Sequence, residues 1–153
     1  MWYNRGMRND IVLCYQTEDG LRPSHFRLSE FANSDGMAMV DSSVVQSLEI
    51  TRISLGKQYG TEVQILISDG FRTVEDNKRL AARLGWVHDG GLVAFDSRHL
   101  AKYGGIAVDI SARYRDGDEW VAVVQADLAA TCRHHFSYVK ADYSDGHVHA
   151  DNR

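Results

Sequence analysis

Seven histidines occur among the 153 residues. Three of them, His99, His147 and His149, fall with Asp109 in segments whose patterns suggest one loop and two strands. Side chains on a strand alternate faces, so His147 and His149 point to one side, about 6.5–7 Å apart along the chain. If their strand pairs with the strand carrying Asp109, the carboxylate faces the same pocket, and His99 enters it from the preceding loop. Two imidazoles and one carboxylate with a fourth position open are the make-up of a catalytic zinc site, whereas structural zinc sites are closed by four ligands and rich in Cys. Asp109 lies in the apolar run Ile106-Ala107-Val108-Asp109-Ile110. An ionised carboxylate there is costly unless it is paired or metal-bound. Spacing alone leaves open the alternative that these are hydrogen-bonded structural residues. The pair His134-His135 fits a helix C-terminus, which favours positive charge, and His25 and His88 are expected to be structural or peripheral.

The elements that must position these residues follow from periodicity. Residues 1–40 suggest an irregular segment with a short strand at Ile11–Tyr15 and a helical turn beginning at Ser29. Val44, Leu48, Leu55 and Tyr59 lie on one face of an amphipathic helix over 43–59, stopped by Gly60. Alternating Val63, Ile65 and Ile67 predict a strand over Glu62–Ser68. Thr73 is placed to cap a second helix that ends at Gly85. Trp86 to Gly105 has no sustained period and is expected to form a long loop, a place where function concentrates. Gly105–Ile110 predicts a buried strand. Asp116-Gly117-Asp118 predicts a turn before a helix from Glu119 to about Cys132, and two strands follow near Phe136–Lys140 and His147–Asp151. This order predicts one α+β domain over residues 1–153, with a small, mostly antiparallel sheet packed with helices.

Composition excludes several classes. Lys and Arg number 17 against 21 Asp and Glu, a net charge of -4 with no long run of either sign. That balance offers no footprint for nucleic acid. Cys14 and Cys132, far apart in sequence, are expected to be buried thiols rather than a disulfide framework or a Cys-rich zinc site. No stretch approaches the roughly 20 apolar residues of a membrane span, and no apolar run follows Arg5 and Arg8 as in a secretion signal. The expectation is a protein made in the cytoplasm that reaches any external target through a membrane lesion or as part of a particle.

Four motifs occur in order: Ser68-Asp69-Gly70-Phe71-Arg72-Thr73 with Asn77, Ser97-Arg98-His99, Gly105-Ile106-Ala107-Val108-Asp109-Ile110, and His147-Val148-His149-Ala150-Asp151. Together they resemble the zinc D-alanyl-D-alanine carboxypeptidase and L-alanyl-D-glutamate endopeptidase family, which has the Hedgehog/DD-peptidase fold. His25-Phe26-Arg27-Leu28-Ser29-Glu30-Phe31 is similar to the N-terminal signature of its phage and bacterial branch, so the resemblance runs from about residue 24 onward. It implies that His99, Asp109 and His149 hold zinc (Zn2+) and that Arg72 faces the scissile carbonyl or the developing oxyanion. It further implies hydrolysis of peptidoglycan stem peptides, by a phage endolysin or a virion-associated wall enzyme.

The chain departs from the family pattern in two places. Nine residues separate His99 from Asp109, more than is usual in the family, with Gly104-Gly105 able to absorb the insertion. Gly146 stands three positions before His149, where many relatives carry the acidic general base. Asp145 is the expected substitute, with His147 as a second candidate or as a proton donor. Loss of the usual base position also motivates a non-catalytic alternative, a structural or binding module of a phage particle that retains the fold.

Overall fold

The computed structural model describes residues 4–5, 10–84 and 96–153. The strands are β1 (Asn4–Arg5), β2 (Val12–Thr17), β3 (Gly20–Arg27), β4 (Met37–Ala38), β5 (Val63–Asp69), β6 (Ala107–Asp116), β7 (Glu119–Ala122), β8 (Tyr138–Lys140) and β9 (Val148–Asp151). The α-helices among the described residues are α1 (Ser42–Tyr59), α2 (Val74–Leu84) and α3 (Gln125–Cys132). The architecture is α+β with a small antiparallel sheet, ordered β5-β6-β9-β8, and β7 adds to the far half of β6. No helix among the described residues is long and apolar enough to cross a membrane.

α1 forms as its pattern predicts. Asp41 caps its N-terminus by accepting from the Ser43 N–H at 2.8 Å, and Gly60, at φ 67°, ends it in the left-handed conformation. Its apolar stripe of Val44, Leu48 and Leu55 joins one core with Val63 and Ile65 of β5, Val108 and Ile110 of β6, Leu128 of α3 and Val148 of β9. Because β6 and β9 alternate, the residues between these core positions, Asp109 and His149, belong to the opposite face of the sheet. They are direct cross-strand partners. The core thus fixes the register that sets the two side by side, since a slip of one residue would turn Val108, Ile110 and Val148 away from α1.

The structure corrects the sequence reading at four places, one of them Cys14, which is exposed on β2, whereas Cys132 is buried as expected. The segment from Glu119 is not one helix. Gly117-Asp118 closes a two-residue hairpin, with Asp116 opposite Glu119, so 119–122 pairs with β6 and the helix starts only at Gln125. Gly117, at φ 59°, supplies the backbone conformation such a turn requires. The N-terminal region is more ordered than expected. Its Ile11–Tyr15 strand is part of a hairpin of β2 and β3, and a 3-10 turn over Leu28–Phe31 follows. The last two strands are shorter than expected, Tyr138–Lys140 and Val148–Asp151, which leaves Phe136 and His147 just outside them. Gly85, His88 and the stretch 86–95 of the expected loop lie outside the described residues.

Candidate metal centre

Three backbone segments converge at the end of β6. The first leaves β5 through Gly70 and Phe71 to Arg72. Gly70 passes so close to the 3-10 turn that a Cβ would lie 2.9 Å from the Phe31 backbone, and Phe71 N–H donates to Phe31 O at 2.9 Å. Only glycine permits that approach. Thr73 and Asp76 then form a reciprocal cap on α2. Thr73 Oγ1 accepts from Asp76 N–H at 3.1 Å, and Asp76 Oδ2 accepts from Thr73 N–H at 2.8 Å.

The second segment carries His99. Arg72 N–H donates to His99 O at 2.9 Å and Ala101 N–H donates to Arg72 O at 3.1 Å, so the two loops are clamped together by their backbones. The nine residues between His99 and Asp109 contain a 3-10 turn over Ala101–Tyr103, ended by Gly104 at φ 79°. Gly105 follows at φ 76°, where a Cβ would meet Met39 O at 2.6 Å. This loop therefore closes on itself and leaves His99 directed at the sheet. The third segment is β9 with His149.

The donor atoms meet at one point. Asp109 Oδ1 lies 3.1 Å from His99 Nε2 and 2.9 Å from His149 Nδ1, and the two nitrogens are 3.2 Å apart. A tetrahedral zinc site with bonds of 2.0–2.1 Å has its ligand atoms about 3.3 Å apart. The opposite nitrogens of both rings are engaged outward. His99 Nδ1 is 2.7 Å from Gly70 O, and His149 Nε2 is 2.9 Å from Asp151 Oδ2. A carbonyl and a carboxylate can only accept, so each ring donates its proton outward and, when neutral, turns a lone pair inward. Two nitrogen lone pairs and a carboxylate oxygen then face one another, an arrangement that a cation completes. The buried His99, Asp109 and His149 can hold a metal ion.

A proton on the inward nitrogens has the opposite effect to a lone pair there. Burial pushes the Asp109 carboxyl up, but where His149 and His99 carry an inward N–H the bonds they donate outweigh it and hold the group well below the usual carboxylate range. Burial disfavours charge on His149, whereas its contacts with Asp109 and Asp151 raise its pKa overall. A proton and a metal ion thus compete for the same inward lone pair.

The other expected residues stand around this point. Arg72, with a side chain only 14% exposed, forms a salt bridge with Asp69 and lies 3.6 Å from Asp109 Oδ2. His147 Nε2 lies 3.9 Å from the same oxygen. Asp145 does not itself contact the donor cluster. Its Oδ1 lies 2.5 Å from His147 Nδ1 and accepts from the His147 N–H at 3.2 Å. The His147 ring stacks on Tyr143 at 3.9 Å, and Gln125 Nε2 donates to the carbonyls of both residues, at 2.7 Å to His147 and 3.1 Å to Tyr143. Asp69, Arg72, Tyr143, Asp145 and His147 border, with the three donor residues, a cleft of about 550 Å³. Of the remaining histidines, His25 contacts Glu49 and His135 contacts Ser54, both away from the cleft.

The sequence reading passed over Asp151 and the Gly70 carbonyl. Asp151 continues the period-two series His147, His149, Asp151, and that alternation is the signal that could have found it. A backbone acceptor leaves no side-chain signal. No family model, no curated protein and no solved structure matches the chain.

Proposed function

We propose that this chain is a zinc-dependent peptidase that hydrolyses the peptide stems of bacterial peptidoglycan. Its action would be of the D,D-carboxypeptidase or L-alanyl-D-glutamate endopeptidase type, within a phage endolysin or virion-associated wall enzyme. The observation that carries the reading is the inward convergence of His99 Nε2, His149 Nδ1 and Asp109 Oδ1, with both rings' protons engaged outward. Two imidazoles and one carboxylate suit zinc and leave a position open for water or substrate. The four ordered motifs supply the substrate class.

Bound at these three residues, zinc would lower the pKa of a water toward about 7 and polarise a scissile carbonyl. The protein's own groups do the rest. Arg72, anchored by Asp69, holds a positive charge beside the donor cluster, where a tetrahedral oxyanion would form. Asp145 accepts the Nδ1 proton of His147, so that Nε2 is the basic nitrogen turned toward the cluster. His147 therefore takes the role of general base and then proton donor, and Asp145 orients it. This reverses the order of preference drawn from the sequence.

One observation favours the non-catalytic alternative. Gly146, at φ 83°, occupies the place where a carboxylate base is expected. Digestion of purified wall sacculi with zinc-loaded protein separates the two readings. Newly freed stem-peptide termini, absent with His147→Ala, support the peptidase. No new termini from zinc-loaded wild type would leave the particle module.

A further inference from the structure

We infer that Asp151 and Arg153 are positioning residues for His149, fixing which nitrogen it turns toward the metal and in what orientation. The inference rests on the metal-site reading above and assigns roles to two residues outside the ligand set. Asp151 is wholly buried, and its Oδ2 receives the His149 Nε2 proton at 2.9 Å. A buried carboxylate needs a cation, and Arg153 supplies it. Arg153 Nε donates to Oδ1 at 2.8 Å and its terminal nitrogen to Oδ2 at 2.7 Å. The backbone N–H of Arg153 adds a third bond to Oδ1 at 3.2 Å.

The guanidinium is itself held, stacked 3.8 Å over the Tyr138 ring, and Tyr138 is the cross-strand partner of Asp151. A chain of contacts thus runs from β8 through Arg153 and Asp151 to the back of the metal ligand. Planar guanidinium and carboxylate meeting through two bonds leave Asp151 little rotational freedom. A fixed acceptor behind Nε2 keeps Nδ1 unprotonated in the neutral ring and raises its basicity toward a metal. His99 differs, because its outward proton goes to a backbone carbonyl that no side-chain substitution removes. Of the two imidazoles, His149 is the one whose donor strength depends on replaceable side chains.

The test measures zinc affinity of the full chain by competition with a chromogenic chelator, together with the absorption spectrum of the cobalt(II) form. Asp151→Asn is expected to weaken zinc binding about 10–100-fold and to alter the cobalt spectrum. Arg153→Ala should shift both readouts in the same direction by less, and Arg153→Lys should restore part of the loss. A purely structural role would lower the unfolding temperature and leave affinity and spectrum unchanged, which would overturn the inference. Should Asp151→Asn fail to fold, Arg153→Ala, at a partly exposed position, decides the matter alone. Failure of the wild type to bind either metal would overturn the metal reading as well, whereas wild-type binding with unaltered variants overturns only the positioning role.

Discussion

Two buried carboxylates in this molecule are held in opposite ways. Glu49, on α1, is surrounded by donors. It accepts from Ser24 Oγ at 2.7 Å, from the His25 N–H at 2.6 Å and from Arg52 Nε at 2.9 Å. Burial works against its charge, but these bonds outweigh it and keep the carboxyl below its ordinary range. Nothing further is needed there. Asp109 meets a fixed cation only on Oδ2, toward Arg72, while Oδ1 faces two nitrogens whose protons point elsewhere. Burial of an acid is common to both, so burial does not mark the site. The direction of the neighbours' protons does: a carboxylate ringed by donors is a finished structural element, and one that shares a point with other lone pairs can hold a metal ion.

The contrast predicts different failures. The largest effect is expected for His99→Ala, which should abolish metal binding and wall hydrolysis together while the chain stays folded, as judged by metal analysis, sacculus digestion and circular dichroism. Glu49→Ala should do the reverse. It should lower stability by about 3 kcal/mol, at the low end for a broken buried pair because Arg52 retains access to water, and leave the metal content of the folded protein unchanged. Denaturant titration with metal analysis checks both halves. If Glu49→Ala removed the metal as well, the two carboxylates would not be the independent elements described here.

Arg72→Ala is expected to reduce kcat about 10²–10³-fold with metal content retained, the size typical of losing one group that stabilises an oxyanion. Steady-state kinetics on a soluble stem peptide measures it, and a loss confined to KM would assign Arg72 to substrate binding instead. The smallest effect concerns pH. Because the Glu49 pKa is lowered on folding, its contribution to stability is present in full above the ordinary glutamate value of about 4.3 and is lost as pH falls through the lower folded value. Glu49→Gln should therefore flatten the fall of stability with acid in that window, and an unchanged acid limb would contradict it.

Much of this was legible in the sequence where one pattern acted alone. The α1 stripe ending at Gly60 and the alternation of Val63, Ile65 and Ile67 each had a single period and a clear stop. The triad was legible because His99, Asp109 and His149 lie in ordered motifs and because the core residues between them fix the register. The Glu119–Cys132 region reads as one helix because Trp120 and Val121 of β7, the N-cap Val124 and Leu128 of α3 together mimic one helical stripe. The Gly117-Asp118 pair, a hairpin signal, was the stronger cue. The β2–β3 hairpin was obscured by Pro23 and by the polar residues of its exposed face, since of the β3 residues only Ser24 and Phe26 are buried. The Gly70 carbonyl could not be read at all, since its role depends on the approach of that backbone to Phe31 and on the ring of His99 folding over it.

The most direct measurement is the metal content of the purified chain, wild type beside His149→Ala, after dialysis against zinc and removal of excess. The convergence of Asp109, His99 and His149 predicts about one zinc per chain in the wild type and none held tightly by the variant. Wild type without metal, or a variant that binds as much, would contradict the assignment of these three residues as the ligand set.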